Sequence, residues 1–338
     1  MGIVVKIVVA VSNLLPHREF LESLLPAGAT VSWCASPNDP RFAAEVPDAD
    51  VLVTARLSGA LAATASRLRL VHAPGAGVNG IDLAALPAGV QCANAFGHDR
   101  SIAEYVVSNV IALRRGTVQQ DAALREGRWL AAAYDPDLPQ PATLRGSVVT
   151  FLGFGRVGQA VWELLQPFGT HGIAITRSGT VDAGVHSLRW SGDAAELDRA
   201  LDESDILVIA VPLDDATAGL IGAEQLNRLG AHGLLVNVAR ADVVDETELY
   251  RALRDETIAG ASLDVWYRYP QGGSTADPAS LPFNELPNTI MTPHSSAITA
   301  ETFRERAKTI AENIVRLDRC EPLVNVVHSG SDARGAEA

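Results

Sequence analysis

Apolar residues fall along the chain in short runs bounded by Gly, Pro and Asp, and these runs alternate with stretches whose apolar positions recur at helical spacing. Such alternation predicts parallel sheets covered by helices on both faces. In the first third, IVVKIVVAV, TVSWC, ADVLVT, LRLVHA and VQCA read as strands, with helices over HREFLESLL and LSGALAATASRL between them. SIAEYVVSNVIALRRGTVQQDAALREG carries apolar residues at helical spacing with no Pro and predicts one long helix leaving the first domain. After a proline-rich loop, DPDLPQPATLRG, a second strand series follows: SVVTFLG, HGIAIT, DILVIAV, GLLVNV, IAGASLDV and NTIMT. A last helix over TAETFRERAKTIAENIVRLDRC sets Phe303, Ala307, Ile310, Ile314 and Leu317 on one face, which predicts its return to the first domain.

Composition narrows this picture. A chain of 338 residues suits about two domains, and 47% hydrophobic with 20% charged residues is globular composition. The net charge of −13 argues against nucleic acid or an anionic membrane as partner. Cys34, Cys92 and Cys320 lie far apart without CxxC spacing, so neither a disulfide framework nor a metal site is expected, and a reducing cytoplasm fits. The apolar N-terminal run contains Lys6 and leads into no small-residue cleavage site, so it reads as a first strand rather than a signal segment. The tail from Ser329 has no apolar anchors and is expected to be disordered.

The segment FLGFGRVGQAVWELL places Gly153, Gly155 and Gly158 in GxGxxG spacing between a strand and a helix. The first glycine permits a tight turn, the second admits a pyrophosphate to the backbone, and the third lets helix and strand pack closely; Arg156 and Val157 open the helix whose free amides would meet the phosphates. At the end of the next strand, where an acid would hold the ribose diol of NAD, the chain has Arg177 and Ser178. A guanidinium and a hydroxyl suit a 2′-phosphate, so NADP(H) is favoured, with NAD(H) as the alternative.

Five segments in order, GFGRVG, VPLDDATAGLI, VNVARADVVDETEL, GASLDV and LPNTIMTPH, together with APGAGVNGID and RSIAE upstream, resemble the D-isomer-specific 2-hydroxyacid dehydrogenases over nearly the whole chain. The resemblance implies an α/β fold of two doubly wound parallel-sheet domains. A discontinuous flavodoxin-like substrate domain would cover residues 1–101 and 296–338, and a Rossmann domain residues 102–295, with the active site in the crevice and a homodimer through the Rossmann domain. It implies reversible hydride transfer between NAD(P)(H) and a small anionic 2-oxo or 2-hydroxy acid.

By the same resemblance Arg240 binds the substrate anion and His294 is the acid/base. The residue types fit that chemistry: a planar guanidinium grips a carboxylate bidentately, and an imidazole exchanges a proton near neutral pH. Surface pairing of Arg240 with Asp242 or Glu246, and a satisfied core role for His294, are the plainer readings. Pro212, Thr217, Ala239 and Asp264 would line the cofactor, though Pro212 and Thr217 also suit an ordinary turn and Asp264 a helix cap. Ala76 and Gly77 would offer amides to the substrate carboxylate or simply form a tight turn. Arg56 and His98 fall in loops the resemblance places at the site's mouth, where each reads more plainly as a bystander.

One departure stands out in DVWYRYP: the sixth position, where the family carries a Glu that pairs with the histidine, is Tyr269. Either Tyr269 hydrogen-bonds His294, or the three aromatics wall the cleft. The departure keeps two alternatives open: a dehydrogenase of another small anion such as formate, phosphite or a hydroxyphosphonate, and a nucleotide-sensing binding protein similar to the C-terminal-binding corepressors.

Overall fold

In the computed structural model, which describes residues 5–270 and 273–329, the chain forms two compact α/β units. One comprises the chain up to Gly97 and from Ile298 on, the other His98–Ala297. The first unit carries strands β1 (Lys6–Ala10), β2 (Thr30–Trp33), β3 (Val51–Thr54), β4 (Leu70–His72) and β5 (Gln91–Ala93). The second carries β6 (Val148–Leu152), β7 (His171–Ile175), β8 (Trp190–Gly192), β9 (Ile206–Ile209), β10 (Leu234–Asn237), β11 (Gly260–Leu263) and β12 (Thr289–Met291). A last strand, β13 (Val326–Ser329), belongs to the first unit.

The strand orders are β13-β5-β4-β3-β1-β2 and β12-β11-β10-β9-β6-β7-β8. Every pairing is parallel except that of β13 with β5, so the fold is the expected α/β class with two doubly wound sheets. Each sheet is covered on both faces, and the side chains sort by the two-residue period of a strand. In β3, Val51 and Val53 enter one core and Leu52 the opposite one; in β9, Ile206 and Val208 face one core and Leu207 and Ile209 the other. Each such buried aliphatic contributes roughly 1.5–3 kcal/mol, and because both faces are buried a one-residue slip would exchange the two cores.

Three local expectations need correction. The long helix over residues 101–127 is two helices, Asp99–Arg115 and Thr117–Arg125. Gly116 between them is left-handed (φ 62°) and its N–H closes onto Ala112 and Leu113 carbonyls, the glycine stop that ends a helix whose last turn holds Arg114 and Arg115. HREFLESLL forms a helix only over Arg18–Ser23, after a 3-10 segment Ser12–His17, and LSGALAATASRL only over Gly59–Ala62. The strands β8 and β13 had no clear apolar run to announce them. The C-terminal helix, Ala300–Asp318, sets Phe303, Ala307, Ile310, Ile314 and Leu317 against β1, β3 and β4 of the first unit. The tail after Ser329 and the residues before Val5 lie outside the described residues. Among the described residues no helix is long and apolar enough to cross a membrane, and no cluster of His, Cys, Asp or Glu could hold a metal ion.

Candidate active site

Because β6 to β12 are all parallel, the loops that follow them emerge on one edge of the second unit's sheet. The glycine loop follows β6, Arg177 follows β7, Pro212 follows β9, Arg240 follows β10, Asp264 follows β11 and His294 follows β12. Strand order reverses between β6 and β9, the switch point at which open α/β sheets bind ligands.

The glycines behave as a nucleotide loop requires. Gly153 has φ 93°, and a Cβ there would stand 2.6 Å from the Ala210 carbonyl oxygen. A Cβ on Gly158 would stand 2.6 Å from the Gly153 carbonyl oxygen, so only hydrogen lets helix and strand meet. Gly155 is different: a Cβ there would meet nothing within 4 Å. Glycine is required at Gly155 by no protein neighbour, and the space beside it adjoins the N-terminus of helix Arg156–Leu165, which has no side-chain cap. Backbone amides at a helix start beside a cleared space fit a dinucleotide pyrophosphate, and this is the site's best match to a cofactor. Val157 is half-buried against the core, while the Arg156 side chain reaches Asp99, 2.8 Å from Nε, leaving its backbone amide at the helix start. Arg177 and Ser178 are exposed just past β7, and Ser178 Oγ lies 2.7 Å from Thr180 Oγ1. Pro212 and Thr217 form a self-contained turn, with Thr217 Oγ1 donating to the Pro212 carbonyl at 2.7 Å.

Arg240 is exposed and sits on a turn fixed by Asn237, which is fully buried. The Asn237 amide donates to the Arg240 carbonyl at 2.9 Å and accepts from the N–H of buried Ala239 at 3.0 Å. Arg240 Nη1 donates to the Ala239 carbonyl at 2.7 Å.

The His294 loop is held more elaborately. His294 has φ 56°, an uncommon left-handed conformation for a side-chain-bearing residue that costs on the order of 1–3 kcal/mol and needs a surrounding frame. The fully buried Asp264 carboxylate supplies it, accepting from Thr292 Oγ1 at 2.6 Å, Ser295 N at 2.8 Å and Ser296 N at 2.9 Å. The Trp266 indole N–H donates to the Thr292 carbonyl at 2.7 Å, and the Tyr267 hydroxyl ties the segment to the Val244 carbonyl. Behind Thr292 runs a polar relay that the sequence reading missed: Tyr105 OH lies 2.7 Å from Thr292 Oγ1 and 3.1 Å from Ser262 Oγ, which accepts from Asn109. Its only sequence signal was small polar residues inside otherwise apolar strand runs.

The Tyr269 hydroxyl lies 2.9 Å from His294 Nδ1 and accepts from the Trp266 N–H at 3.3 Å. Burial lowers the His294 pKa below its ordinary value; Asp264 opposes this and the Arg240 cation adds to it. The residue is nevertheless exposed to solvent. DVWYRYP is thus a bracket for the histidine loop, with Asp264, Trp266 and Tyr269 each bonded to it.

In the first unit, Ala76 and Gly77 sit on the loop after β4, where the Ala76 carbonyl accepts from Asn94 Nδ2 at 2.8 Å. Arg56 is exposed after β3, its backbone turned by Thr54. His98 belongs to the second unit and precedes the helix Asp99–Arg115.

A switch-point glycine loop with a histidine, an arginine and a buried aspartate on the same sheet edge is an arrangement that fits a dinucleotide-dependent enzyme. The NAD-binding-domain model of the D-isomer specific 2-hydroxyacid dehydrogenases matches residues 107–296. The chain is 30% identical over 299 residues to a glyoxylate reductase of Korarchaeum cryptofilum, covering 87% of each. It is 32% identical over 281 residues to a glyoxylate reductase of Aeropyrum pernix, covering 82% of this chain and 81% of that one. Among solved structures, a Granulicella formate dehydrogenase superposes with TM-score 0.77 at 28% identity, over 94% of this chain and 84% of that one. The protein belongs to the D-isomer specific 2-hydroxyacid dehydrogenase family of oxidoreductases.

Proposed function

We propose that this protein reduces a small 2-oxo acid to the 2-hydroxy acid, reversibly, with NADP(H) as the favoured nucleotide. The observation that carries the reading is the framing of His294, whose unfavourable backbone conformation is held by Asp264 and whose Nδ1 is met by Tyr269. A loop ordered this heavily around one exposed imidazole is arranged to present its other nitrogen, Nε2.

When bound, the nicotinamide supplies or accepts the hydride. The glycine loop and the amides at the start of Arg156–Leu165 would hold its pyrophosphate, and Arg177 with Ser178 would meet a 2′-phosphate. Arg240 grips the substrate carboxylate through its planar fork. His294 gives its Nε2 proton to the oxygen that gains charge during reduction and takes it back during oxidation. Tyr269 accepts from Nδ1–H in both states, in the imidazolium and in the neutral ring left once Nε2 has given up its proton. Asp264 acts through the loop, as a positioning residue. The homodimer implied by resemblance is part of this reading, and sedimentation measures it.

A second reading is favoured by Tyr269: a neutral partner supports imidazolium less than a carboxylate does, and oxidation of a small anion such as formate releases no proton from an alcohol. The deciding experiment follows NADPH and NADH oxidation over a panel of 2-oxo acids, and the reverse reaction with 2-hydroxy acids, formate and phosphite. Turnover of formate or phosphite with none of 2-oxo acids would overturn the first reading in favour of the second.

A further inference from the structure

The chain contains a single Asn–Gly pair, Asn79–Gly80, on the loop after β4 that also carries Ala76 and Gly77. Residues 78–81 close a β-turn: the Ile81 N–H donates to the Val78 carbonyl at 2.9 Å, with Asn79 and Gly80 at the two central positions. Such a turn uses the N–H of its last residue and leaves that of its third free. Accordingly, among the described residues neither the Gly80 N–H nor the Asn79 side chain makes a hydrogen bond, and both residues are exposed.

Glycine at the third position is required by its surroundings. A Cβ on Gly80 would collide with the Ala55 carbonyl oxygen and stand 3.0 Å from Arg56 Cγ. The missing side chain has a chemical consequence, because nothing on residue 80 shields its own nitrogen. The amide carbon of the Asn79 side chain is placed by covalent geometry to close a five-membered ring with that nitrogen.

We infer that Asn79–Gly80 is a self-modification site, where the Gly80 backbone nitrogen attacks the Asn79 side-chain amide and converts the residue to aspartate and isoaspartate. The Gly80 nitrogen gives its proton to solvent base and bonds to Asn79 Cγ. The Cγ–Nδ2 bond breaks, Nδ2 takes up a proton and leaves as ammonia, and a cyclic succinimide remains. Water then opens the ring. Cleavage between Cγ and the Gly80 nitrogen gives aspartate with the chain unchanged; cleavage between that nitrogen and the main-chain carbonyl carbon gives isoaspartate, in which the chain runs through Cγ. Only water is consumed, and each event adds one negative charge. This chemistry needs the first unit alone and is independent of nucleotide and substrate.

The two products differ in what the fold can absorb. The Leu57 N–H donates to the Gly80 carbonyl at 3.0 Å and the Asp82 N–H to the Leu57 carbonyl at 3.0 Å, pairing Leu57 with Ile81, and both side chains are buried in the first unit's core. Aspartate leaves these bonds in register. Isoaspartate inserts an extra main-chain carbon just before Gly80, whose backbone is already pressed against Ala55, so the Leu57–Ile81 corner loosens.

The test holds the full chain in mildly alkaline and mildly acidic buffer and follows each asparagine by peptide mass spectrometry, with a urea-denatured sample and Asn79→Gln in parallel. In the folded protein Asn79 should convert at least about tenfold faster than any other asparagine, faster in the alkaline sample, and to both products. An isoaspartate-specific methyltransferase should label aged wild type far more than aged Asn79→Gln. Conversion no faster than at other asparagines, or fast conversion in urea alone, would show that the native turn holds the groups apart. Aspartate without isoaspartate would mean direct hydrolysis that does not involve Gly80. Either result overturns the inference. The charge-shifted fraction of aged wild type, which holds both products, is then compared with Asn79→Asp, which holds only aspartate. Part of the aged fraction should melt several degrees below Asn79→Asp, and identical melting would overturn the loosening of the Leu57–Ile81 corner.

Discussion

The Tyr269 hydroxyl meets His294 Nδ1 at 2.9 Å, so the partner of this imidazole is a neutral dipole. Burial, with the Arg240 cation, already lowers the histidine's pKa, and Tyr269 brings no charge to raise it. Reduction of a 2-oxo acid needs imidazolium, so its kcat/KM should decline as pH rises through a value below the ordinary 6.5, and oxidation should persist down to that same value. Tyr269→Glu introduces an ionised partner and should move both limbs to higher pH; each full pH step corresponds to about 1.4 kcal/mol of imidazolium stabilisation. Profiles of both proteins with one substrate check this, and limbs that coincide would remove Tyr269 from the proton chemistry.

Asp264→Asn tests the frame behind the histidine. The carboxylate accepts from two backbone amides and a hydroxyl, and an amide side chain turns one acceptor into a donor facing a donor. At least one buried group is then left unpaired, at about 1–3 kcal/mol. Melting temperature should fall by a few degrees for a domain of this size, and kcat/KM by at least about tenfold, because the left-handed turn at His294 loses its clamp. Wild-type melting and turnover in this variant would mean the loop holds itself.

The sheet architecture and the glycine loop were legible because both are written in local pattern: runs of β-branched residues, and glycines at fixed spacing between strand and helix. Asp264, Tyr269 and His294 were legible as positions, but their mutual bonding was not, since it joins residues 25 to 32 apart across β11 and β12. Asn237 and the Tyr105–Ser262–Thr292 relay escaped notice because a buried polar side chain declares itself only through its partners. Gly116 was read through because one glycine inside a helical pattern lowers helicity without forbidding it, and its left-handed φ decided the break. The short strands β8 and β13 have too few apolar positions for periodicity to register.

Arg240→Lys separates charge from fork. Lysine keeps the positive charge on the Asn237-fixed turn but cannot bind a carboxylate through two parallel N–H groups. The expected outcome is a loss of at least about tenfold in kcat/KM, equivalent to 1.4 kcal/mol or more, with NADPH affinity nearly unchanged. Near-normal turnover would assign the substrate anion to another group.

Arg177→Asp tests the nucleotide preference. Arg177 is exposed just past β7, where its side chain is available to a 2′-phosphate and where an acid would instead receive a ribose diol. The substitution should weaken NADPH binding far more than NADH binding, read by fluorescence titration. A wild-type kcat/KM markedly higher with NADH would end the NADP(H) assignment.

The last prediction concerns a buried histidine remote from this chemistry in its bonding. His72, at the end of β4, is fully buried; its Nδ1 lies 2.9 Å from the Ala73 carbonyl and must donate to it, so Nε2 accepts from Asn313 Nδ2 at 3.0 Å. Asn313 in turn donates to the Val324 carbonyl and accepts from the Val324 N–H, tying the chain before β13 to the C-terminal helix. Both histidine nitrogens are satisfied only in the neutral form, and burial lowers the pKa to about 4. The unfolded chain titrates near 6.5, so the unfolded state binds the proton first. The stabilisation is therefore complete above pH 6.5 and drains away as pH falls towards 4, by about 3 kcal/mol in all. Urea denaturation between pH 7.5 and 4.5 should show this decline. His72→Leu should be less stable at pH 7.5, because Asn313 loses an acceptor, yet decline less steeply with acid. Parallel declines in the two proteins would show that other groups, such as paired carboxylates, govern the acid response.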